Sequence, residues 1–482
     1  MILSDLLKDL AVKEVKGETN IDIQDIQFDS RQVKPGTLFV AQPGTVVDGH
    51  DYIDKAIEAG AAAIVCERTD TIHKEGATVI VVDNASHALG LIASAWNGYP
   101  SKHLTLVGVT GTNGKTTIAT LLYKMVRAMG HKAGLLSTVV NYVNDEPVQA
   151  THTTPDALEL NGLLKQMVDA GCRYAFMEVS SHAIAQQRIA GLDFDGALFT
   201  NLTRDHIDFH KTFENYRDTK KQLFDNLKKD AFAVTNKDDK NGLVMTQNCK
   251  AAIHTYSTRS LADYKARILE EGFDGMLLEV NGMEVFVRLV GRFNVSNLLC
   301  IYGAAVCLGF EPAEVLRVLS TLSAVNGRFE AIHSPKGWTA IVDYAHTPDA
   351  VENVLNTINE IRKPASKVIT VVGCGGNRDK GKRPMMASIA KKNSTQLILT
   401  SDNPRDEEPK DILSDMIAGL SPEEQQQQTL VIEDRETAIK TACMLAGKDD
   451  VILIAGKGHE DYQIIKGVKH HFDDHEIVKA NL

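Results

Sequence analysis

Residues 107–120 read VGVTGTNGKTTIAT, and this stretch decides the fold. An apolar run typical of a buried strand enters a glycine-containing loop, and apolar residues at helical spacing follow it. The usual phosphate loop, GxxxxGK followed by Ser or Thr, would place its first glycine at position 109, which is Val109. The glycines are instead Gly108, Gly111 and Gly114. The stretch therefore predicts a strand, a phosphate-binding loop and a helix, with an unusual glycine spacing.

This loop still has the groups that phosphate binding needs. Backbone N–H groups of residues 111–115 can point inward, because glycine tolerates the dihedral angles that such a turn requires. The start of the following helix adds partial positive charge. Lys115 can reach the outer phosphates of a nucleotide, and the Thr116 hydroxyl can ligate Mg²⁺. The alternative is a glycine-rich turn that binds nothing.

The bulk properties indicate the class of protein. A chain of 482 residues predicts about three domains, and 43% apolar residues allow each a core. The formal net charge of -11, with no long Lys/Arg block, argues against a nucleic-acid surface. Seven cysteines without a CxxC pair favour a reducing compartment. With no signal-peptide pattern and no apolar run of about 18 residues, we predict a cytoplasmic protein without a membrane span.

Strand and helix patterns divide the chain into three blocks, which we predict to be domains at residues 1–100, 101–332 and 333–482. Strands alternate with helices in each, so the fold class is α/β, with a parallel central sheet and a Rossmann-like third domain. Ligands bind at the carboxyl ends of such strands, and two facing sheets would form a cleft. Residues 423–428, EEQQQQ, predict an exposed loop. Polar residues or glycines end or follow five of the predicted strands, with two of them after the same strand: Glu178, Asn201, Asp343, Asp402, Asn403 and Gly456.

A second polar segment, LFTNLTRDHIDFH at residues 198–210, precedes YRDTKKQLF at 216–224. His206 and His210 flank Asp208, which allows a zinc site or a polar loop with helix-capping residues. Lys220 on its own is most simply a surface lysine. The residues alone do not decide between these alternatives.

TGTNGKTT resembles the nucleotide loop of the Mur ligases and of folylpolyglutamate synthetases, which are ATP-dependent ligases that form amide bonds. The shifted glycine is the norm in these families. The resemblance extends to GRFNVSNLLCIYGAA at 291–305, NGRFE at 326–330 and DYAHTPD at 343–349, which contains His346. The implied ATP-binding residues are Gly111, Thr112, Asn113, Gly114, Lys115, Thr116, Thr117, Asn294, Asn297 and Asp343.

The same resemblance implies the catalytic and metal-binding residues. In Mur ligases, a lysine about fourteen residues after the D-H histidine carries a carbamate formed from CO₂, and Lys220 lies at that spacing from His206. A carbamate changes a cation into an anionic oxygen ligand. The resemblance therefore implies Mg²⁺ binding by Thr116, Glu178, His206 and carbamylated Lys220. Lys115, Lys220, His206 and Arg328 are the implied catalytic residues.

The first block distinguishes the two families. Residues 28–65, which begin FDSRQVKPGTLFVAQPG, resemble the uridine-nucleotide-binding domain of the Mur ligases that add the third and later residues, and folylpolyglutamate synthetases lack this domain. THTTPD at 151–156 resembles the N-T-T-P segment that reads the sugar-peptide, with His152 in place of Asn and therefore unassigned. The implied residues for the UDP-MurNAc-peptide are Ser30 beside Arg31, Thr153, Thr154, Ser180, Gln186 and Arg188.

The third block implies the amino acid that is added. GCGGNRDKGKRP, SDNPRDEEP and AGKGHEDYQ together resemble the MurE type of the family. Its D-N-P-R form is associated with meso-diaminopimelate, and lysine-adding relatives replace the arginine. A guanidinium suits this choice, because diaminopimelate has a distal carboxylate that lysine lacks. The implied diaminopimelate-binding residues are Arg378, Asp402, Asn403, Pro404, Arg405, Gly456 and Glu460.

We therefore predict a monomeric ligase that joins meso-diaminopimelate to UDP-MurNAc-L-Ala-D-Glu in peptidoglycan synthesis. Three alternatives stay open: a lysine-adding ligase of the same type, a folylpolyglutamate synthetase-like ligase, and a nucleotide-binding regulator without enzymatic activity.

Overall fold

The structure, a computed structural model, describes residues 1–44 and 47–482. Within these residues the strands form three main sheets, in chain order, and one two-stranded hairpin. The prediction of three successive α/β units is confirmed. No helix in the described ranges is both long enough and apolar enough to cross a membrane.

The first unit is a five-stranded sheet with helices against it. Its elements are α1 (Leu3–Leu6), β1 (Val12–Lys16), β2 (Asp25–Gln27), β3 (Thr37–Val40), α2 (Ile53–Glu58), β4 (Ala63–Cys66), β5 (Thr78–Val82) and α3 (Ala85–Trp96). The strand order is β1-β5-β4-β3-β2, and only the β1–β5 pair is antiparallel. The segment that contains Ser30 is a 3₁₀ turn, Ser30–Gln32, between β2 and β3.

The second unit contains the longest sheet. Its elements are β6 (Thr105–Thr110), α4 (Lys115–Ala128), β7 (Ala133–Leu136), β8 (Asn141–Val143), β9 (Glu146–Val148), α5 (Ala157–Asp169), β10 (Tyr174–Glu178), α6 (Ser181–Ala185), β11 (Gly196–Phe199), α7 (Ile207–His210), α8 (Phe213–Asp225), β12 (Phe232–Asn236), α9 (Gly242–Met245), β13 (Ala252–Ser257), β14 (Tyr264–Gly272), β15 (Gly275–Val280), β16 (Met283–Val287), α10 (Arg292–Cys307) and α11 (Pro312–Leu319). The order is β16-β15-β14-β13-β12-β11-β6-β10-β7-β8-β9.

The parallel centre of this sheet positions the phosphate loop. Strand β6 lies between β10 and β11, and its register pairs Val109 with Glu178 and Thr110 with Phe199. Side chains that follow all three strands therefore meet at one edge, as the sequence predicted. Helices α4 and α10 cover one face, and α5 and α8 cover the other.

Both ends of this sheet are antiparallel, which the parallel prediction did not include. Asn281 and Gly282 join β15 to β16 with positive φ angles of 46° and 85°. An Asn-Gly pair with such angles is a strong signal for a tight hairpin turn. The hairpin extends the sheet without altering its parallel centre.

The third unit is a six-stranded sheet followed by a hairpin. Its elements are β17 (Glu330–His333), β18 (Thr339–Asp343), α12 (Pro348–Ile361), β19 (Val368–Val372), α13 (Lys382–Lys392), β20 (Gln396–Leu399), α14 (Pro409–Ile417), α15 (Pro422–Gln426), β21 (Thr429–Val431), α16 (Arg435–Leu445), β22 (Val451–Ala455), β23 (Tyr462–Ile465), β24 (Val468–His471) and α17 (Asp474–Ala480). The order is β17-β18-β22-β19-β20-β21, and only β17 is antiparallel to its neighbour. Strand β17 crosses the predicted boundary at 332/333, so the domain limits stay predictions.

Local sequence signals account for two helix starts in this unit. Thr347 accepts a hydrogen bond from the backbone N–H of Ala350 at 3.3 Å, and Pro348 is the first helical residue of α12. The loop predicted at residues 423–428 is wrong in part, because α15 occupies Pro422–Gln426. Ser421 and Glu424 form a capping box there, and this reciprocal pair stabilises the short, exposed helix.

Candidate active site

The glycine spacing of the phosphate loop follows from close contacts around it. Gly111 and Gly114 have φ angles of +147° and +91°, in the region that favours glycine. A Cβ on Gly111 would lie 1.9 Å from the Oγ1 of Thr200, and one on Gly114 would lie 2.4 Å from the Oδ1 of Asn297. Thr200, which follows β11, and Asn297 of α10 leave no room for a side chain at these two places. Both glycines are therefore required where the sequence has them.

Gly114→Ala is expected to raise the KM for ATP by roughly tenfold, because the left-handed conformation alone costs a side chain about 1–2 kcal/mol. The contact with Asn297 adds to this cost. Steady-state kinetics with varied ATP measure the effect. Gly130→Ala is the matched control, since Gly130 has a φ of +85° with nothing within 4 Å of an added Cβ. An unchanged KM in Gly114→Ala would contradict this account of the loop.

Lys115 and Arg328 converge on the start of α4. The amino group of Lys115 donates to the carbonyl oxygens of Gly111 at 3.0 Å and Thr112 at 2.8 Å. Burial lowers the pKa of Lys115, and Glu178 and Asp205 oppose this shift. Arg328 Nη2 donates to the Thr116 hydroxyl at 3.1 Å, and its guanidinium lies 4.6 Å from the ring centroid of Tyr344. Two cationic side chains therefore face the place where phosphates would lie.

A cavity of about 930 Å³ lies between the second and third units, next to the phosphate loop. Its lining includes Asn113, Gly114 and Asn297 from one side and Asp343, His346 and Asp349 from the other. The predicted cleft between two facing sheets is confirmed.

A polar contact crosses this cleft, in which Asn113 Nδ2 of the second unit donates to Asp349 Oδ2 of the third at 2.9 Å. On the wall of the second unit, Asn297 Nδ2 donates to Asn294 Oδ1 within α10 at 3.0 Å. Asp343 is buried, and its two oxygens accept the backbone N–H groups of residues 329 and 345 at 2.7 Å each. Asp343 thus shapes the backbone next to Arg328, and its predicted contact with a ribose stays a prediction.

Lys220 is buried, so the surface-lysine alternative is wrong. It lies on α8, and its amino group donates to the Gly111 carbonyl at 2.8 Å beneath the phosphate loop. Burial, and then the charge of Lys115, lower the pKa of Lys220 well below its usual value, against the attraction of Asp205. The neutral amine is consequently favoured.

His206 precedes α7 with a φ of 54°, and its ring centroid lies 4.7 Å from that of His182. Burial of the ring, together with His182, Lys220 and Lys115, lowers the pKa of His206 to about 4 despite Asp205. A neutral imidazole is the form that binds metals. Across residues 1–44 and 47–482, no three His, Cys, Asp or Glu side chains are grouped as a metal site. The zinc alternative therefore has no ligand set in these residues.

Glu178 ends β10 with its side chain buried. Its Oε1 accepts hydrogen bonds from the backbone N–H of Thr138 at 2.8 Å and from the Thr138 hydroxyl at 3.1 Å. The Thr138 hydroxyl is also 3.1 Å from the Thr153 hydroxyl. The charge of Glu178 also acts to raise the pKa of Lys115, against the effect of burial. Glu178 thus lies between the phosphate loop and the segment predicted to bind the sugar-peptide.

The predicted sugar-peptide residues of the second unit form one connected group. The Thr154 hydroxyl donates to the Glu178 carbonyl at 2.8 Å and lies 3.4 Å from the Ser180 hydroxyl. Arg188 Nη1 donates to the Thr154 carbonyl at 2.7 Å, and Arg188 Nε donates to Gln186 Oε1 at 3.0 Å. Ser30 belongs to the first unit, where neighbouring Asp29 accepts from the backbone and guanidinium of Arg31. No hydrogen bond among the described residues joins Ser30 to this group.

The predicted amino-acid residues also lie together, at the carboxyl ends of β20 and β22. Asn403 Nδ2 donates to Glu460 Oε2 at 2.7 Å. A Cβ on Gly456 would lie 2.4 Å from Asp402 Oδ2. Arg405 Nη1 donates to the carbonyl of residue 376 at 2.8 Å, and Arg378 is exposed beside it. Burial, and then the charge of Arg378, lower the pKa of Arg405.

Sequence reasoning missed a buried lysine in this group. Lys457 is fully buried, and its amino group lies 3.1 Å from Asn403 Oδ1 and 3.6 Å from Glu460 Oε2. Lys457 and Arg435 hold the pKa of Asp402 below its usual value although burial would raise it. The signal was present, since Lys457 follows the apolar strand VILIA in AGKGHE. Ligands bind beyond the carboxyl ends of the strands in such a sheet, so a charged residue just after a buried strand lies near the site.

A loop of the phosphate-binding type, a buried amine beneath it and a second α/β sheet across a cleft are typical of a nucleotide-binding enzyme whose site lies between two domains. Comparisons with known proteins specify the family. Residues 22–97 match the model described as Mur ligase family, catalytic domain, residues 109–305 match the Mur ligase middle domain, and residues 327–458 match the Mur ligase, glutamate ligase domain.

Individual relatives are similar to this chain over nearly its whole length. A UDP-N-acetylmuramoyl-L-alanyl-D-glutamate--2,6-diaminopimelate ligase of Parabacteroides distasonis is 63% identical over 99% of this chain and 98% of its own. The ligase of the same name from Phocaeicola vulgatus is 58% identical over 99% of both chains. A solved structure of a ligase with this name has a TM-score of 0.71 at 31% identity and covers 100% of this chain and 98% of that one. The chain belongs to the Mur ligase family.

Proposed function

We propose that this chain is the ligase that adds meso-diaminopimelate to UDP-N-acetylmuramoyl-L-alanyl-D-glutamate, with ATP as the energy source, in peptidoglycan precursor synthesis. The names of the relatives at 63% and 58% identity support this assignment. The observation that carries it in the structure is the pair Arg378 and Arg405 beside Glu460. The two guanidiniums suit the distal carboxylate of diaminopimelate, and the carboxyl group of Glu460 suits the amine beside that carboxylate.

The proposed reaction has two steps. The γ-carboxylate of the D-glutamyl residue attacks the γ-phosphorus of ATP, the bond to the β-phosphate oxygen breaks, and ADP leaves. The amine of diaminopimelate then attacks the carbonyl carbon of the acyl phosphate, loses a proton and expels phosphate. Lys115 and Arg328 lie where they would offset the charge that develops on the transferred phosphoryl group.

The cleft between the second and third units would keep water from the acyl phosphate. Thr154, Ser180, Gln186 and Arg188 would hold the sugar-peptide next to the phosphate loop, and Ser30 would contact its uridine nucleotide. The residues of the third unit would present the amine from the opposite side. This arrangement brings three substrates to one place, which is the main requirement of an amide ligase.

The Thr116 hydroxyl and the Glu178 carboxylate are oxygen groups of the kind that magnesium prefers. Thr116 and Glu178, with His206 and a carbamate on Lys220, would hold Mg²⁺, which neutralises phosphate charge when bound. Lys220 fits carbamylation because burial lowers the pKa of its amine, and the neutral amine is the form that attacks CO₂. In that reaction the nitrogen bonds to the carbon of CO₂ and releases one proton. A monomeric state and a cytoplasmic location stay predictions.

Arg405→Ala is expected to lower kcat/KM for meso-diaminopimelate by roughly tenfold or more, because a hydrogen bond to a charged group contributes about 1.5–3 kcal/mol. The KM for ATP should stay unchanged, since Arg405 lies across the cleft from the phosphate loop. Side-by-side incorporation of meso-diaminopimelate and L-lysine measures both the function and the role of Arg405. Preferred incorporation of L-lysine by the wild-type chain would refute the assignment of the amino acid.

A further inference from the structure

One fully buried arginine in the third unit has no role in the reaction described above. Arg383 is the second residue of α13, and its side chain is 0% exposed. Nη1 donates to Glu407 Oε2 at 3.0 Å and to Asp415 Oδ2 at 2.8 Å. Nη2 donates to Glu407 Oε1 at 2.8 Å and to the Gly375 carbonyl at 3.3 Å. Burying a guanidinium costs desolvation energy, which its hydrogen bonds offset only when the partners are well placed.

These contacts join two loops, residues 373–381 and residues 401–408, which we call loop A and loop B. Gly375 belongs to loop A, Arg383 lies at the start of the helix that follows loop A, and Glu407 belongs to loop B. Glu407 Oε1 also accepts the backbone N–H of Asn377 at 2.6 Å. Glu407 is thus bonded at the same time to the buried guanidinium and to the backbone of loop A, one residue before Arg378.

The backbones of the two loops are in direct contact at the same place. The Gly376 N–H donates to the Asn403 carbonyl at 2.9 Å, and the Gly376 carbonyl accepts from Arg405 Nη1 at 2.8 Å. A Cβ on Gly376 would lie 1.9 Å from the Pro404 carbonyl oxygen. A small shift of either loop would therefore change the position of Arg405 relative to Arg378.

Arg378 and Arg405 carry like charges, and nothing in their own interaction holds them together. Arg405 also has a φ of 54°, which is uncommon for a residue with a side chain. Glu407, which joins the two loops, supplies the attraction that offsets this repulsion and this backbone strain. The pKa of Glu407 is lowered to about 2, first by its hydrogen bond with Arg383, so Glu407 is anionic throughout the neutral range.

We propose that Arg383, acting through Glu407, is a positioning residue that sets the spacing between Arg378 and Arg405 and so favours an amino acid with a distal carboxylate over L-lysine. This inference rests on the proposed function. Recognition of a carboxylate by two guanidiniums requires positions accurate to about 0.5 Å, and supporting residues supply that accuracy. Arg383 touches no substrate in this account.

The test compares Arg383→Lys and Glu407→Gln with the wild-type chain in steady-state kinetics for all three substrates. Arg383→Lys keeps the charge but loses the two-pronged contact, and Glu407→Gln keeps the shape but loses the charge. We expect the KM for meso-diaminopimelate to rise roughly 10- to 100-fold, as misplaced binding groups typically cause. The KM values for ATP and for the UDP-linked dipeptide should stay unchanged. The preference for meso-diaminopimelate over L-lysine should fall by the same factor.

Ile439→Ala provides the matched control for a purely structural effect. Ile439 is fully buried on α16, in the core on the other face of the same sheet. Its truncation should lower the melting temperature without changing the KM for meso-diaminopimelate or the preference for it. If Arg383→Lys does not fold, Glu407→Gln carries the same test.

Two results would overturn the positioning role. One is that the variants have a lower melting temperature, as is expected of Ile439→Ala, but an unchanged KM for meso-diaminopimelate and an unchanged preference for it. The other is that the KM values for all three substrates rise together. Failure of the wild-type chain to use meso-diaminopimelate would refute the proposed function itself, so the two failures are distinguishable.

Discussion

Replacing Lys115 with alanine is expected to lower kcat by roughly 10²- to 10³-fold or more, since removal of a single preorganised donor to a developing charge typically costs that much. The amino group of Lys115 lies over the loop, on the carbonyl oxygens of Gly111 and Thr112. When ATP binds, its γ-phosphate would accept hydrogen bonds from this amino group in place of the two carbonyl oxygens. Without it, the phosphoryl group would lose its nearest cation from the loop. Coupled measurement of ADP release gives the rate.

Lys124→Ala is the control for this prediction. Lys124 lies on the same helix, α4, and is half-buried away from the loop. Its variant should retain wild-type turnover. Wild-type turnover in Lys115→Ala would instead remove the assignment of residues 111–117 as the phosphate loop.

Replacing Lys220 with alanine is expected to lower activity by roughly 10- to 100-fold, as the loss of a group that supports a metal site usually does. A small added carboxylate such as formate should restore part of the activity, because it supplies the oxygen ligands that a carbamate would supply. Wild-type protein given ¹³C-labelled bicarbonate should show a carbamate signal by NMR, and Lys220→Ala should lack it. The signal gives a readout that does not depend on turnover.

Lys221→Ala is the matched control for Lys220. The two lysines are adjacent on α8, but Lys221 forms an i,i+4 ion pair with Asp225 and does not contact the phosphate loop. Because the partner of Lys221 is Asp225 rather than a residue of the loop, this variant should keep both its activity and the carbamate signal. Full activity in Lys220→Ala, or a carbamate signal that survives the substitution, would refute the carbamate role.

The sequence was sufficient for features that depend on local chemistry. A glycine loop between a strand and a helix has few other interpretations once Lys115 and Thr116 follow it. The shifted glycines looked irregular in the sequence, and the structure explains them by Thr200 and Asn297, which are far away in the chain. Thr347 and Pro348 are likewise a local signal for a helix start, and α12 begins there.

Features that depend on tertiary burial could not be predicted from the residues alone. Lys220 reads as an exposed lysine until α8 is packed under the phosphate loop, and only the family resemblance identified it. Lys457 comes just after an apolar strand, which indicates a place at the site edge, and Arg383 stands in a polar segment. Nothing local indicates that the fold surrounds either side chain completely. Their partners come from other loops. Long-range pairing of this kind is decided by packing rather than by residue pattern.

The most direct test of the account is to incubate the purified chain with UDP-N-acetylmuramoyl-L-alanyl-D-glutamate, ATP, Mg²⁺ and meso-diaminopimelate, and to follow both products. Mass spectrometry should show the UDP-linked dipeptide lengthened by one diaminopimelate residue, with one ADP formed for each tripeptide. Omission of either co-substrate should stop ADP release. Formation of ADP without any lengthened product, whichever amino acid is supplied, would contradict the account.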